Sequence, residues 1–186
     1  MTRSVLIGCL SVLILLVGLS NSAAQTQVLR PDLQKVGTAV ETYFQKTKPD
    51  WRHESVLPAT PPGGQPSPYV AIHFWAVEKC EIAERSVADA KTDKPPVSCR
   101  IKLAIYESDS ASAALEGLTN FASKQRTATA LLVGDKGYVW RGENIVFIKD
   151  KFTFWLSVDL RGRDHTKNMD LMKSLAKQIV DVVAAR

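Results

Sequence analysis

Gly134-Asp135-Lys136-Gly137-Tyr138-Val139-Trp140-Arg141-Gly142-Glu143-Asn144-Ile145-Val146-Phe147-Ile148-Lys149-Asp150-Lys151, continued by Phe152-Thr153-Phe154-Trp155-Leu156-Ser157-Val158-Asp159-Leu160, decides how this chain folds. Three short runs rich in β-branched and aromatic residues are divided by clusters of Gly, Asn and Asp, the pattern of a β-meander. In the last run Phe152, Phe154, Leu156, Val158 and Leu160 alternate with Thr153, Trp155, Ser157 and Asp159. A period of two places one apolar face against a core, so the sheet needs a covering layer.

Working outward, Pro31 to Gln45 carries Leu33, Val36, Val40, Tyr43 and Phe44 at spacings of three and four, with Asp32, Lys35, Glu41 and Gln45 between them. This predicts an amphipathic helix opened by Pro31 and ended at Lys48-Pro49-Asp50. Arg52 to Leu57 suits a short edge strand, and the stretch from Pro58 to Pro68, with five prolines and two glycines, is a loop. Tyr69 to Glu81 and Val97 to Tyr106 alternate as a long-looped hairpin. Asp109 or Ser110 caps a second helix with the stripe Ala111, Ala114, Leu115, Leu118, Phe121 and Ala122. Thr166 or Asn168 starts a third, with Leu171, Leu175, Ile179 and Val182 on its stripe and Met172 and Val183 beside it. The expected architecture is α+β: an antiparallel sheet of five to six strands, a hairpin plus a three-stranded meander, with three helices packed mainly on one face.

The N-terminus has Arg3, an apolar run from Val5 to Leu19, and small residues at Ser22 and Ala24, the layout of a secretory signal peptide cleaved after Ala24. The run is broken by Gly8, Ser11 and Gly18 and falls short of the roughly 20 apolar residues needed to span a bilayer. Leu6-Ile7-Gly8-Cys9 mimics a lipobox, but too little hydrophobic chain precedes the Cys. Cleavage leaves residues 25–186, 162 in all, a length suited to a single domain, and lowers the formal charge from +5 to +4. Such a mild excess of base is not a nucleic-acid signature, and the expected location is periplasmic or secreted. Cys80 and Cys99 then form an even pair in an oxidising compartment, which predicts a disulfide. Setting Cys80 opposite Cys99 places Ala76 opposite Leu103 and Phe74 opposite Ile105, so that Val70, Ile72, Phe74 and Ala76 point to the core.

The Ala-x-x-Ala-Leu step at Ala111 to Leu115, Val-Gly-Asp at Val133 to Asp135, Phe-Thr-Phe-Trp at 152–155 and Leu-Ala-x-x-Ile at Leu175 to Ile179 carry a resemblance. Residues 97 to 186 look like small exported bacterial α/β domains, among them uncharacterised lipoproteins and the extracytoplasmic sensor domains of membrane kinases. The resemblance implies a fold and no functional residue.

Chemistry is sparse. Neither Gly-x-Ser-x-Gly nor His-Glu-x-x-His is present, and Gly134-Asp135-Lys136-Gly137 lacks phosphate-loop spacing and precedes a strand, so it is a turn. None of His53, His73 and His165 lies within a few residues of a cysteine, and no metal, cofactor or catalytic residue is expected. The outer sheet face is more distinctive. By the register above it carries His73 and Trp75 with Tyr69, Ala71 and Val77, then Arg100, Lys102 and Tyr106 with Ala104, then Trp155 with Thr153, Ser157 and Asp159. One reading makes His73, Trp75, Arg100, Lys102, Tyr106 and Trp155 a binding platform for a sugar, an anionic polymer or a cell-envelope protein. The other, preferred because large aromatics are more often buried, lays Trp51 and the proline-rich loop over it as a second small core. The expected function is a non-enzymatic binding or interaction module; the alternative is an extracytoplasmic hydrolase, which His73 beside a carboxylate and with a strongly shifted pKa would favour.

Overall fold

A computed structural model describes residues 29–58, 67, 69–77, 99–159 and 169–186, the side chains of residues 55–58 and 159 excepted. The expected signal peptide, most of the proline-rich loop, and Cys80 lie outside these residues.

Local chemistry sets the elements. Helix α1 (Pro31–Thr47) opens with proline at its first position, where a missing N–H costs nothing, and buries Leu33, Val36, Gly37, Val40 and Phe44. Strands β1 (Trp51–Pro58), β2 (Val70–Val77) and β3 (Cys99–Glu107) follow. Helix α2 (Ala111–Lys124) is capped by Ser110, whose side chain accepts from the Ala113 amide at 3.1 Å. Then come β4 (Ala128–Leu131), β5 (Lys136–Trp140), β6 (Asn144–Lys149), β7 (Phe152–Asp159) and α3 (Met169–Ala184).

The meander is made as its punctuation suggests. Between β4 and β5, Gly134 has φ +60, and a Cβ there would meet the Ile148 carbonyl oxygen at 2.1 Å, so only glycine fits. Asp135 then fastens the neighbouring turn: its Oδ2 accepts from the Asp150 amide at 2.7 Å and its Oδ1 from Lys149 Nζ at 3.1 Å. Asp150 itself, at φ 55, sits in the left-handed region that Asp tolerates.

The seven strands form one antiparallel sheet in the order β1-β2-β3-β7-β6-β5-β4. Five to six were expected. The strand that the sequence hid is β4, four residues of Ala-Thr-Ala-Leu with no apolar alternation. Alternation elsewhere splits the side chains between two cores. On one face Ile101, Leu103, Ile105, Ile145, Phe147, Phe154, Leu156 and Val158 pack beneath α1 and α3. On the other, Val146 and Ile148 pack with Ala114 and Leu118 of α2, joined by Phe121, Tyr138 and Trp155. Two helices therefore cover one face and one covers the other. Leu115, expected in the α2 stripe, is 45% exposed.

The hairpin register departs from the expected one. Val77, not Cys80, stands opposite Cys99, and His73 stands opposite Leu103. A slip of three positions is odd, and an odd slip exchanges the faces of a strand. Ala71, His73, Trp75 and Val77 are consequently the buried set on β2, while Ile72, Phe74 and Ala76 lie half-buried on the other face.

Candidate functional site

The inverted register takes two of the six expected platform residues to the opposite side of the sheet. His73 is 2% exposed and Trp75 is 1% exposed, both under α1. Their environment comes from three elements. Phe44 of α1 meets the Trp75 ring edge-on at 5.3 Å and Trp51 of β1 at the same distance. His53, across β1 from Trp75, has its ring 5.3 Å from that indole and 5.6 Å from the His73 imidazole. Trp75 and His73 lie nearly parallel, at 11° and 5.6 Å. Trp51 thus belongs to the α1 side and does not cover the outer face.

A bulge in β1 between His53 and Ser55 adds one residue to that strand, a device that bends a strand and re-aims its side chains. His53 Nδ1 then lies 2.9 Å from Glu41 Oε1 on α1. One ligand-type atom from each of Glu41, His53 and His73 falls within 4.8 Å of the others. The approach of α1 is close because of Gly37: a Cβ there would stand 2.7 Å from His73 Nε2. Glycine in a helix interior costs about 0.5–1 kcal/mol relative to alanine, and here it makes the room the imidazole occupies.

The polar atoms of this cluster are poorly served. His73 Nδ1 and Nε2, His53 Nε2 and Trp75 Nε1 are buried with no hydrogen-bond partner among the described residues, whereas buried polar side-chain atoms are normally paired. Burial, and then the neighbouring His53, lowers the His73 pKa from 6.5 to about 4, so the imidazole is neutral at ordinary pH.

Arg100, Lys102, Tyr106 and Trp155 do share the face opposite α1 and α3, but not as one surface. Trp155, half-buried, lies beneath α2: its ring meets Phe121 at 5.6 Å and Trp140 at 5.1 Å, and its Nε1 donates to Asn144 Oδ1 at 2.9 Å. Trp140 Nε1 donates to Gln125 Oε1 at 3.2 Å. The cover expected of the proline-rich loop is supplied at this end by α2. Toward β2, Arg100, Lys102 and Tyr106 are exposed, and the Arg100 guanidinium lies 4.4 Å from the centre of the half-buried Phe74 ring. Glu54 of β1 pairs with Arg100 at 2.8 Å and with Arg52 at 3.8 Å.

Glu107, at the end of β3, is a buried carboxylate. Lys151 Nζ lies 2.8 Å from Glu107 Oε1 and 2.7 Å from Asp32 Oδ2, and the hydrogen bond from Lys151 holds the Asp32 carboxyl below its usual range. This bridge ties the first turn of α1 to the β6–β7 turn.

Glu41 and His53 were missed as site residues. In the sequence Glu41 is only a polar position between the apolar residues of α1, and His53 carries no motif that sets it apart from a structural or solvent-exposed histidine. The available signal was Gly37, in mid-helix one turn before Glu41 on the same helical face, since an isolated helix-interior glycine marks a close approach. Comparison with known protein families, curated proteins and solved structures finds no match to this chain.

Proposed function

We propose that this is an exported, non-enzymatic binding domain that meets an anionic partner through the β1–β3 part of the sheet opposite α1 and α3. The observation that carries this reading is a row of cations beside aromatics. Arg52, Ala76 and Arg100 stand side by side across three strands, Lys102 follows two residues along β3, and Phe74 and Tyr106 flank them. Arg52, Arg100 and Lys102 are exposed, and Lys102 has no ion pair among the described residues. Cations over flat rings suit an acidic polymer or an acidic cell-envelope protein. The signal-peptide layout of residues 1–24 supports export, and a Cys80–Cys99 disulfide closing the long hairpin loop belongs to the same reading.

The hydrolase reading gains less from His73 than expected. A carboxylate and a shifted pKa are both near, but the shift arises from burial and from His53, and Glu41 contacts His53. No hydroxyl or thiol of the described residues hydrogen-bonds either imidazole, so none of them stands there as a nucleophile for a base to activate.

Retention on heparin–agarose tests the proposal. Lys102→Glu is expected to elute at markedly lower salt than wild type, and Lys177→Glu, an exposed change on α3 with the same charge difference, close to it, with both melting as wild type does. Equal losses for the two variants reduce the effect to net charge and end the proposal.

A further inference from the structure

We propose that Glu41, His53 and His73 form a binding site for a divalent first-row transition-metal ion of the zinc or copper type. The donor set is the first argument. Two imidazoles and one carboxylate from α1, β1 and β2 converge within 4.8 Å, and imidazole nitrogen with carboxylate oxygen is the combination that zinc and copper accept and that magnesium and calcium do not favour. Ligand atoms 2.0–2.1 Å from a tetrahedral ion stand roughly 3.4 Å from one another. His53 Nδ1 and Glu41 Oε1, at 2.9 Å, are already near that spacing, and from a separation of at most 4.8 Å the remaining closure is no more than about 1.4 Å.

The second argument is the unmet need of His73. A neutral imidazole always has one nitrogen bearing a lone pair. Both His73 nitrogens are buried without a hydrogen-bond partner among the described residues, so that lone pair is bare whichever tautomer is present. A buried polar atom left unpaired destabilises the fold, and coordination satisfies it. Among the described residues no hydrogen bond between side chains explains why a histidine rather than a hydrophobic residue occupies the centre of β2 beneath Gly37.

The third is access. Glu41 and His53 are half-buried while His73 is enclosed, so an ion enters from the rim with its fourth position facing outward, the open arrangement of three protein ligands and one exchangeable one. Trp75, 5.6 Å from His73 and 5.3 Å from His53, reports on occupancy because a bound copper ion quenches a neighbouring indole. The site lies on the face opposite the cationic row, so it stands or falls apart from the binding function proposed above.

Isothermal titration calorimetry with the untagged, chelator-treated protein, its thiols blocked, tests the site. Zinc chloride is expected to bind at one ion per chain and to raise the melting temperature, while magnesium chloride does neither. His53→Gln and Glu41→Gln, both at the rim, should each weaken zinc at least about tenfold and keep the metal-free melting temperature within a few degrees. Replacing the third histidine, His165→Gln, should change nothing. Copper should quench tryptophan emission in wild type and not in His53→Gln. Absence of one-to-one zinc binding, or binding that survives both rim substitutions, overturns the assignment; so does binding lost in His165→Gln alone.

Discussion

Two aromatic clusters lie on opposite faces of one sheet, and they differ in what happens to their polar atoms. Around Trp155, every described indole nitrogen has a partner: Trp155 bonds Asn144 and Trp140 bonds Gln125. Around Trp75, the indole N–H, both His73 nitrogens and His53 Nε2 have none among the described residues. The rings stand at about the same separations in both clusters, T-shaped around Trp155 and a mixture of T-shaped, tilted and stacked around Trp75, so closeness of ring contact does not distinguish them. A satisfied cluster is accounted for by its own stability. An unsatisfied one retains polar groups at a cost, and that cost is what points to a ligand.

The largest test removes the rings. Trp75→Ala is expected to cost about 3–5 kcal/mol, the usual loss for a buried Trp, read as a fall in the urea midpoint. Trp155→Ala, at a half-buried ring, should cost clearly less. Changing each to Phe sharpens the contrast. Trp155→Phe breaks a hydrogen bond and strands Asn144, costing about 1 kcal/mol beyond the loss of ring area, whereas Trp75→Phe deletes an unpaired N–H and should carry no such excess over its own loss of ring area. An excess of that size at Trp75 would show that its indole N–H has a partner.

The second test is acid titration. His73 binds its proton at about pH 4 when folded and near 6.5 when unfolded. Between these values the unfolded chain holds the extra proton, so stability is full above pH 6.5 and falls as the pH drops toward 4, by about 3 kcal/mol for that shift. With chelator present, His73→Gln should flatten the dependence of the urea midpoint on pH relative to wild type over this window. Among the described residues the rings and the hydrogen-bond acceptor that meet Trp155 are Phe121, Trp140 and Asn144, none of which titrates, and Trp155→Phe should leave the wild-type slope unchanged. Equal slopes for wild type and His73→Gln would refute burial as the control on this imidazole.

The smallest effects come from two helical glycines. At Gly117 of α2 an added Cβ meets nothing within 4 Å, and Gly117→Ala should stabilise by about 0.5–1 kcal/mol. At Gly37 the same change meets His73 Nε2 at 2.7 Å, and the clash should turn the gain into a loss of about 1–3 kcal/mol. Stabilisation at both positions, measured by thermal melts, would mean that α1 does not press on the imidazole.

Much of this architecture was legible. Pro31, Ser110, Gly134 and the Phe152-to-Val158 alternation each act locally, so α1, α2, the turn before β5 and β7 stand where their residues put them. What failed was the assignment of a face. On β2 both alternating sets are largely apolar, Val70, Ile72, Phe74 and Ala76 against Ala71, Trp75 and Val77, so hydrophobicity alone does not choose between them. The ladder sets Val77 opposite Cys99, and direct opposition of Cys80 and Cys99 implies a register three positions away. His73 and Trp75 went to the wrong side with it, and the expected platform of six residues broke into the exposed trio Arg100, Lys102 and Tyr106, the α2-covered Trp155, and the buried pair. The Glu41–His53–His73 grouping was illegible for a different reason. Its members lie on three elements, and a one-residue bulge in β1 helps to set how they meet, which no spacing along the chain encodes.

The order of strands carries a consequence for how the molecule assembles. Strands β4 to β7 pair only with sequence neighbours, and so do β1 to β3; the two blocks are joined by the single ladder β3–β7, whose partners run from Arg100 with Asp159 to Glu107 with Phe152. That ladder closes the longest loop in the sheet, and closure entropy grows with length, so it forms after the local hairpins can lend it a surface. Both blocks are built from local hairpins, and the joining of the two is the late step. The unsatisfied histidines sit within the N-terminal block, between α1, β1 and β2. An ion bound among them would act as a latch that fastens α1 to the β1–β2 hairpin.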